Sequence, residues 1–181
     1  MFYLNRSLIF LIFFASSCSP FKENFHQVDE VYFRSGQLDK EMLEAKVREH
    51  EIKTLINLRG KAEGESFWEE ESKAAKDLGI AYHNLLFYSY KYPLKGRVLE
   101  LITLLEQVEY PILVHCNHGA NRAGFAAAVY LLEIEKKPFS EAKKQLSIFY
   151  GHIPSKLDGF LSRYKRESDG RSMKQWLLDG E

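Results

Sequence analysis

The segment Ile112 to Leu132, ILVHCNHGANRAGFAAAVYLL, constrains this chain more than any other. Its fully apolar start, Ile112 to Val114, reads as a strand buried on both faces, as in a parallel sheet. The alanine-rich stretch from about Arg122 to Lys136 reads as a helix. A strand that delivers a short glycine-containing loop into a helix N-terminus builds an anion site. Backbone N–H groups that the helix leaves unpaired converge there, and the helix dipole adds about half a positive charge. Asn117, His118, Gly119, Ala120, Asn121 and Arg122 are the expected donors. Gly119 can take backbone angles closed to other residues, and Gly124 lets the helix start pack closely. Cys116 stands at the entrance, in a positive field of the kind that lowers a thiol pKa from about 8.5 to ~3.5–7.5. Arg122 offers a planar fork of donors matched to two oxygens of a tetrahedral oxyanion.

The rest of the chain supplies a scaffold for that loop. Its 181 residues, 45% of them hydrophobic, suit one compact domain with an ample core. VYFRSG (31–36), TLINLR (54–59) and AYHNLLF (81–87) read as further strands. Asp39 caps a helix over KEMLEAKVREH, Ser66 with Glu69 makes a capping-box signature for a helix ended by Gly79, and RVLELITLLEQVE (97–109) carries one apolar face. Ser140 and Ser155 start two more helices. The alternation predicts an α/β fold: a single domain over 24–165 with a mainly parallel central sheet flanked by helices. RYKRESDGR (163–171) reads as a solvated link, and 166–181 as a C-terminal tail with the short amphipathic helix SMKQWLL.

The N-terminus, MFYLNRSLIFLIFFASSCSP, has one cation (Arg6), no acid, an apolar stretch from Leu8 to Ala15 and then small residues, the layout of a secretory signal over 1–17. The apolar stretch is far short of the ~20 residues that a bilayer-spanning helix needs. Ala15-Ser16-Ser17-Cys18 resembles a bacterial lipobox, which implies a lipidated Cys18 and an exported lipoprotein, periplasmic or at the cell surface, tethered to a membrane. Ordinary cleavage with Cys18 unmodified is the alternative. With Cys18 lipidated, Cys116 has no disulfide partner. Lys plus Arg equal Asp plus Glu at 25 each, so the overall charge gives no reason to expect a nucleic-acid partner.

His115-Cys116-Asn117-His118-Gly119-Ala120-Asn121-Arg122 matches the HC-x5-R signature of the cysteine-dependent tyrosine and dual-specificity phosphatases, and Gly124 matches the glycine after it. NFHQVDEVYFRSGQL and IKTLINLRG are similar to segments of the small exported bacterial tyrosine phosphatases, so the resemblance runs from about Asn24 to Tyr164. It implies a dual-specificity-phosphatase-like fold and a phosphomonoester hydrolase that needs no metal or other cofactor. Cys116 would attack phosphorus, and water would hydrolyse the phosphocysteine. The implied substrates are a phosphorylated protein, phosphotyrosine foremost, or a small phosphoester. Two residues depart from the pattern. Ala123 stands where the family carries a serine or threonine hydroxyl that supports the departing thiolate, which predicts a slower second step. The family's general-acid aspartate has no counterpart between Tyr82 and Gln107. Glu100 and Glu106 fall on a predicted helix, whereas His83, Tyr88 and Tyr90 are better placed to approach the pocket. General acid catalysis contributes ~10²–10⁴-fold, so its loss favours good leaving groups. His118 adds a likeness to the branch that cleaves polyphosphate and RNA triphosphates without that aspartate, although export argues against RNA.

Plainer readings stand beside these. His115, ending an apolar strand, reads as a hydrogen-bonder that orients the loop, and His118 as part of the loop's structure. Cys116, His115 and His118 are too cramped for zinc, so no metal is expected. Asn57 and Arg59 end a parallel strand at the edge where open α/β sheets bind ligands. Arg59 either draws anionic substrates or forms a surface ion pair, and Arg34 is equally open. Phe87, Tyr88, Tyr90 and Tyr92 either wall the pocket or pack a turn. Two rival functions follow: a phosphate-recognising binding protein whose chemistry is lost, and a hydrolase of inositol phosphates or polyphosphate.

Overall fold

The computed structural model describes residues 23–180, so the signal segment and Cys18 lie outside the described residues. Five strands, β1 (His26–Gln27), β2 (Tyr32–Ser35), β3 (Thr54–Asn57), β4 (Ala81–Asn84) and β5 (Ile112–His115), form one sheet in the order β1-β2-β5-β3-β4. Only β1 pairs antiparallel; β2, β5, β3 and β4 are parallel neighbours. Helices α1 (Lys40–Glu49), α2 (Ser66–Leu78), α3 (Lys95–Gln107), α4 (Asn121–Glu133), α5 (Phe139–Ala142), α6 (Lys156–Glu167) and α7 (Met173–Asp179) cover the sheet. The alternation of patterns along the chain is thus realised as an α/β domain with a mainly parallel centre.

Every residue of β2, β3 and β5 is buried, which explains runs without polar alternation. Successive side chains serve two cores. Tyr32, Ile56, Ile112 and Val114 join Val98, Leu101, Phe125, Phe160 and Trp176 on one face, while Phe33, Leu55 and Leu113 join Leu43, Val47, Ala74 and Ala75 on the other. Ten of the thirteen residues of α4 are buried, so its alanines and Gly124 are what allow neighbours to approach on all sides.

Three expectations are corrected. At α2, Glu65 is the N-cap and makes no side-chain cap bond; Ser66 is already helical, and Glu69 Oε1 accepts from Gly64 N at 3.0 Å. The turn at Gly64 (φ 87°) brings that earlier N–H within reach; a capping box is present at another helix start, at Ser155 with Asp158. β4 ends at Asn84; beyond it Leu85 N donates to Asn57 O at 2.9 Å and Phe87 N to Leu58 O at 3.2 Å, so the chain still follows β3 but leaves regular strand geometry as β3 turns through Gly60 (φ 83°). The stretch 163–171 is not a solvated link. Residues 163–167 belong to α6, Tyr164 and Ser168 are buried, and Met173, Trp176 and Leu177 enter the larger core, so the segment beyond 165 packs as part of the domain body.

Candidate active site

β5 lies at the centre of the sheet, so its C-terminal end opens between the ends of β2 and β3, and the loop to α4 starts there. The loop carbonyls are held from outside. Asn117 O accepts from Gln37 N at 3.1 Å, His118 O from Asn24 Nδ2 at 2.7 Å, Gly119 O from Arg34 Nη2 at 2.7 Å, and Ala120 O from Arg34 Nη2 and Gly124 N at 2.9 Å each. A planar trans peptide carries its N–H opposite its C=O. Turning the carbonyls of Asn117, Gly119 and Ala120 outward therefore sets the N–H groups of His118, Ala120 and Asn121 inward, beside the first turn of α4. Among the described residues, none of these three N–H groups has an acceptor. Gly119 sits at φ 67°, and a Cβ there would lie 2.5 Å from Gly36 N, so glycine is required where the loop presses on β2.

Cys116, 3% exposed, begins this cup, with its N–H donating to Ser35 O at 3.3 Å. Arg34 lies behind the loop, wholly buried. Its guanidinium also donates to Gln145 O at 2.7 Å and Gln145 Oε1 at 2.9 Å, and stacks 4.4 Å from the centre of the Tyr150 ring. Burial pushes its pKa down to about 10, partly countered by Tyr32, Tyr150 and Cys116 nearby. Arg34 is thus a buried group braced against the loop carbonyls rather than a surface group. Gly124 makes room for it, since a Cβ there would meet Gln145 O at 2.5 Å and Arg34 Nη2 at 2.9 Å.

Arg122, in the first turn of α4, is half-buried with Nη1 3.4 Å from Leu58 O. Arg59 lies within its electrostatic reach: burial, and then the charge of Arg122, lower the Arg59 pKa, while Glu71 and Cys116 raise it. Arg59 stacks 3.3 Å over the Phe67 ring and donates to Gln37 Oε1 at 2.8 Å. Among the described residues it has no carboxylate at ion-pair distance. Gln37 Nε2 in turn donates to Glu71, a buried carboxylate of α2 that accepts from Tyr82 Oη at 2.6 Å and lies 3.1 Å from His115 Nε2. That last approach is an ion-pair distance out of line for a hydrogen bond, since neither ring nitrogen of His115 has a properly oriented partner. Burial pushes the Glu71 pKa up, but the neighbouring His115 and the donors Tyr82 and Gln37 outweigh it and hold the group below its usual range. Asn57 is fully employed in the turn after β3: its Nδ2 shares two hydrogens among Tyr82 Oη, Asn84 Oδ1 and Gly60 O at 3.1, 3.2 and 3.3 Å, and its Oδ1 accepts from Arg59 N at 2.7 Å.

The structure therefore brings Cys116, Arg122, Arg59 and the loop N–H groups together, with His115 behind them, and assigns Asn57 and Arg34 to support. The side chains of Asn117 and His118 face solvent, and Asn121 clasps Ile153 through its N and O at 3.3 and 3.1 Å. Tyr88 and Tyr90 pair with ring centres 5.4 Å apart, 40% and 67% exposed, and the connection 85–94 holds no acid. Among the described residues no three His, Cys, Asp or Glu side chains gather to hold a metal ion. Asn24, Gln37, Glu71 and Tyr82 were not read as site residues. Glu71 alone carried a signal: it shares the buried stripe of Trp68 and Ala75, where an unpaired carboxylate has no place.

Residues 24–154 match the family described as "Swiss Army Knife protein, DSP-PTPase phosphatase domain", and the chain belongs to it: it is a cysteine-dependent phosphatase, a hydrolase. Among solved structures it is similar to TpbA of P. aeruginosa (20% identity, TM-score 0.62, covering 89% of this chain and 97% of that one). It is also similar to PTPMT1 (19%, TM-score 0.63, 81% and 97%). A third likeness is to the catalytic domain of the PP-IP phosphatase SIW14 of S. cerevisiae (18%, TM-score 0.66, 87% and 93%). These likenesses show the fold. No curated protein matches the chain.

Proposed function

We propose that this protein hydrolyses phosphomonoesters, phosphotyrosine on proteins foremost, with Cys116 as nucleophile and Arg122 as phosphate clamp. The carrying observation is the set of loop carbonyls held outward by Gln37, Asn24 and Arg34, which leaves inward N–H groups facing the oxygens of a bound phosphate. In the first step the Cys116 sulfur forms a bond to phosphorus as the ester P–O bond breaks, and the leaving oxygen takes its proton from water or departs as the anion. In the second, water attacks phosphorus, the S–P bond breaks, and orthophosphate and a proton leave. With no carboxyl in 85–94 to protonate the leaving group, aryl phosphates are better substrates than alkyl phosphates. TpbA has been solved with phosphotyrosine, which supports an aryl substrate here.

Cys116→Ser is expected to abolish hydrolysis of an aryl phosphate with an unchanged circular dichroism spectrum; retained turnover refutes the assignment. Arg122→Lys is expected to lose on the order of 10²-fold in kcat/KM through the missing fork. A burst of product followed by slow turnover separates an enzyme limited by its second step from a binding protein. A second reading draws on Arg59, which among the described residues has no carboxylate at ion-pair distance and lies close to Arg122: it suits a substrate with more than one phosphate. Relative kcat/KM on a phosphotyrosine peptide, inositol phosphates and polyphosphate decides between the two. Residues 1–18 support export and a lipid on Cys18, expected as loss of membrane fractionation in Cys18→Ser.

A further inference from the structure

Three large apolar side chains stand in water beside the cup: Ile148, Phe149 and Ile153 are 89%, 77% and 72% exposed. They ride on a turn that is fixed rather than loose. Asn24 Nδ2 joins Tyr150 O to the loop's His118 O, Asn121 clasps Ile153, and Arg34 holds Gln145 and stacks on Tyr150. The area thus stays presented, at a constant position relative to the site, and a persistent exposed apolar patch marks an interaction surface.

Two further observations say what covers it. Between Ala142 and Leu157 the chain carries Lys143, Lys144 and Lys156 and no acid. All three lysines are exposed, and among the described residues none has a carboxylate at ion-pair distance. The described chain also begins at this edge: Glu23 O accepts from Gly36 N at 2.8 Å, and Gly36 bridges to His118, so Glu23, which follows the proposed lipid site Cys18 by five positions, lies next to the cup. Exposed apolar side chains flanked in sequence by lysines and no acid, next to the start of the chain that the proposed lipid on Cys18 would tether, match the chemistry of an anionic bilayer surface; this last point rests on the lipidation proposed above.

We propose that Ile148, Phe149 and Ile153, with Lys143, Lys144 and Lys156, dock the domain on an anionic lipid bilayer and lay the mouth of the cup against it. The surface is independent of the chemistry at Cys116. The test uses the full chain carrying Phe149→Trp or, as the control off the ridge, Leu178→Trp, with phosphatidylcholine vesicles with and without phosphatidylglycerol. On phosphatidylglycerol vesicles the Trp at 149 is expected to shift its emission to the blue and to be quenched by brominated acyl chains, while the Trp at 178 does neither. Lys143→Glu with Lys144→Glu is expected to weaken that response at least several-fold, roughly 1 kcal/mol per lysine in anionic lipid being about fivefold each. Equal responses at 149 and 178, or a position 149 still open to aqueous iodide on vesicle-bound protein, overturn the proposal. Shielding of position 149 by a phosphotyrosine peptide but not by vesicles assigns the ridge to a protein partner and overturns it as well.

Discussion

Arg34 takes a positive charge into the interior, and four oxygens, only one of them on a side chain, receive it. Two backbone carbonyls, Gly119 O and Gln145 O, thereby depend on one guanidinium, while Ala120 O also accepts from Gly124 N. Arg34→Met keeps most of the volume but strands those acceptors, at about 1–3 kcal/mol each where they stay dry. The expected loss is roughly 3–5 kcal/mol by urea denaturation, together with weaker inhibition by inorganic phosphate as the loop relaxes; a variant that keeps both values would show that the loop holds its shape unaided. Glu71 acts on the other side of the cysteine. Its pKa in the folded protein lies below the ordinary 4.5, so its ionisation contributes stability that is fully present above that pH and is lost as the pH falls through the lower folded value. Glu71→Gln is expected to lower stability at neutral pH by about 1–3 kcal/mol, and the difference from the unaltered protein should shrink below pH 4.5. Denaturation series at neutral and acid pH check this, and a gap that widens toward acid contradicts the pairing with His115.

The unit β5, loop and α4 was legible because each of its parts has a local cause: a buried strand, a glycine at positive φ, and a helix start that leaves donors free. Its supports were not, since Asn24, Gln37 and Arg34 meet the loop across sequence separations that no local pattern encodes. For the same reason Asn57 and Arg34 looked alike in the sequence, one tying a turn and the other spanning to Gln145. Gly124 joins the two levels, since its close packing follows from helix sequence but its neighbour, the Gln145 carbonyl, lies on the turn after α5. Gly124→Ala raises helix propensity, by itself a gain of up to about 1 kcal/mol. The Cβ at 2.5 Å from a backbone carbonyl reverses the sign, and a net loss of about 1–3 kcal/mol is expected, with the thermal midpoint as readout. Gly96, whose Cβ would meet nothing within 4 Å, is the control: Gly96→Ala is expected to be neutral or stabilising.

At the scale of the whole molecule, the α/β architecture followed from alternating patterns, whereas the C-terminal boundary did not. RYKRESDGR looked solvated because its charges are conspicuous, yet Tyr164 faces inward and the chain turns back after Ser168 to set α7 against α3, α4 and α6. Met173, Trp176 and Leu177 fill one end of the larger core, with Trp176 edge-on to Phe160 at 5.5 Å. Glu133, buried on α4, accepts from Met173 N at 2.5 Å, so the last helix also satisfies a carboxylate of the helix that begins at the cup. Removing residues 169–181 would take those three side chains out of the core, each worth about 1.5–3 kcal/mol of burial, and leave Glu133 without its backbone donor. A loss of this size, roughly 5 kcal/mol or more, takes much of the 5–15 kcal/mol typical of a folded domain. The truncated chain is therefore expected to lose cooperative unfolding and phosphatase activity together. Glu133→Gln in the intact chain, which keeps an acceptor for Met173 N, should retain both; a stable, active truncated form would place the edge of the folding unit near residue 165.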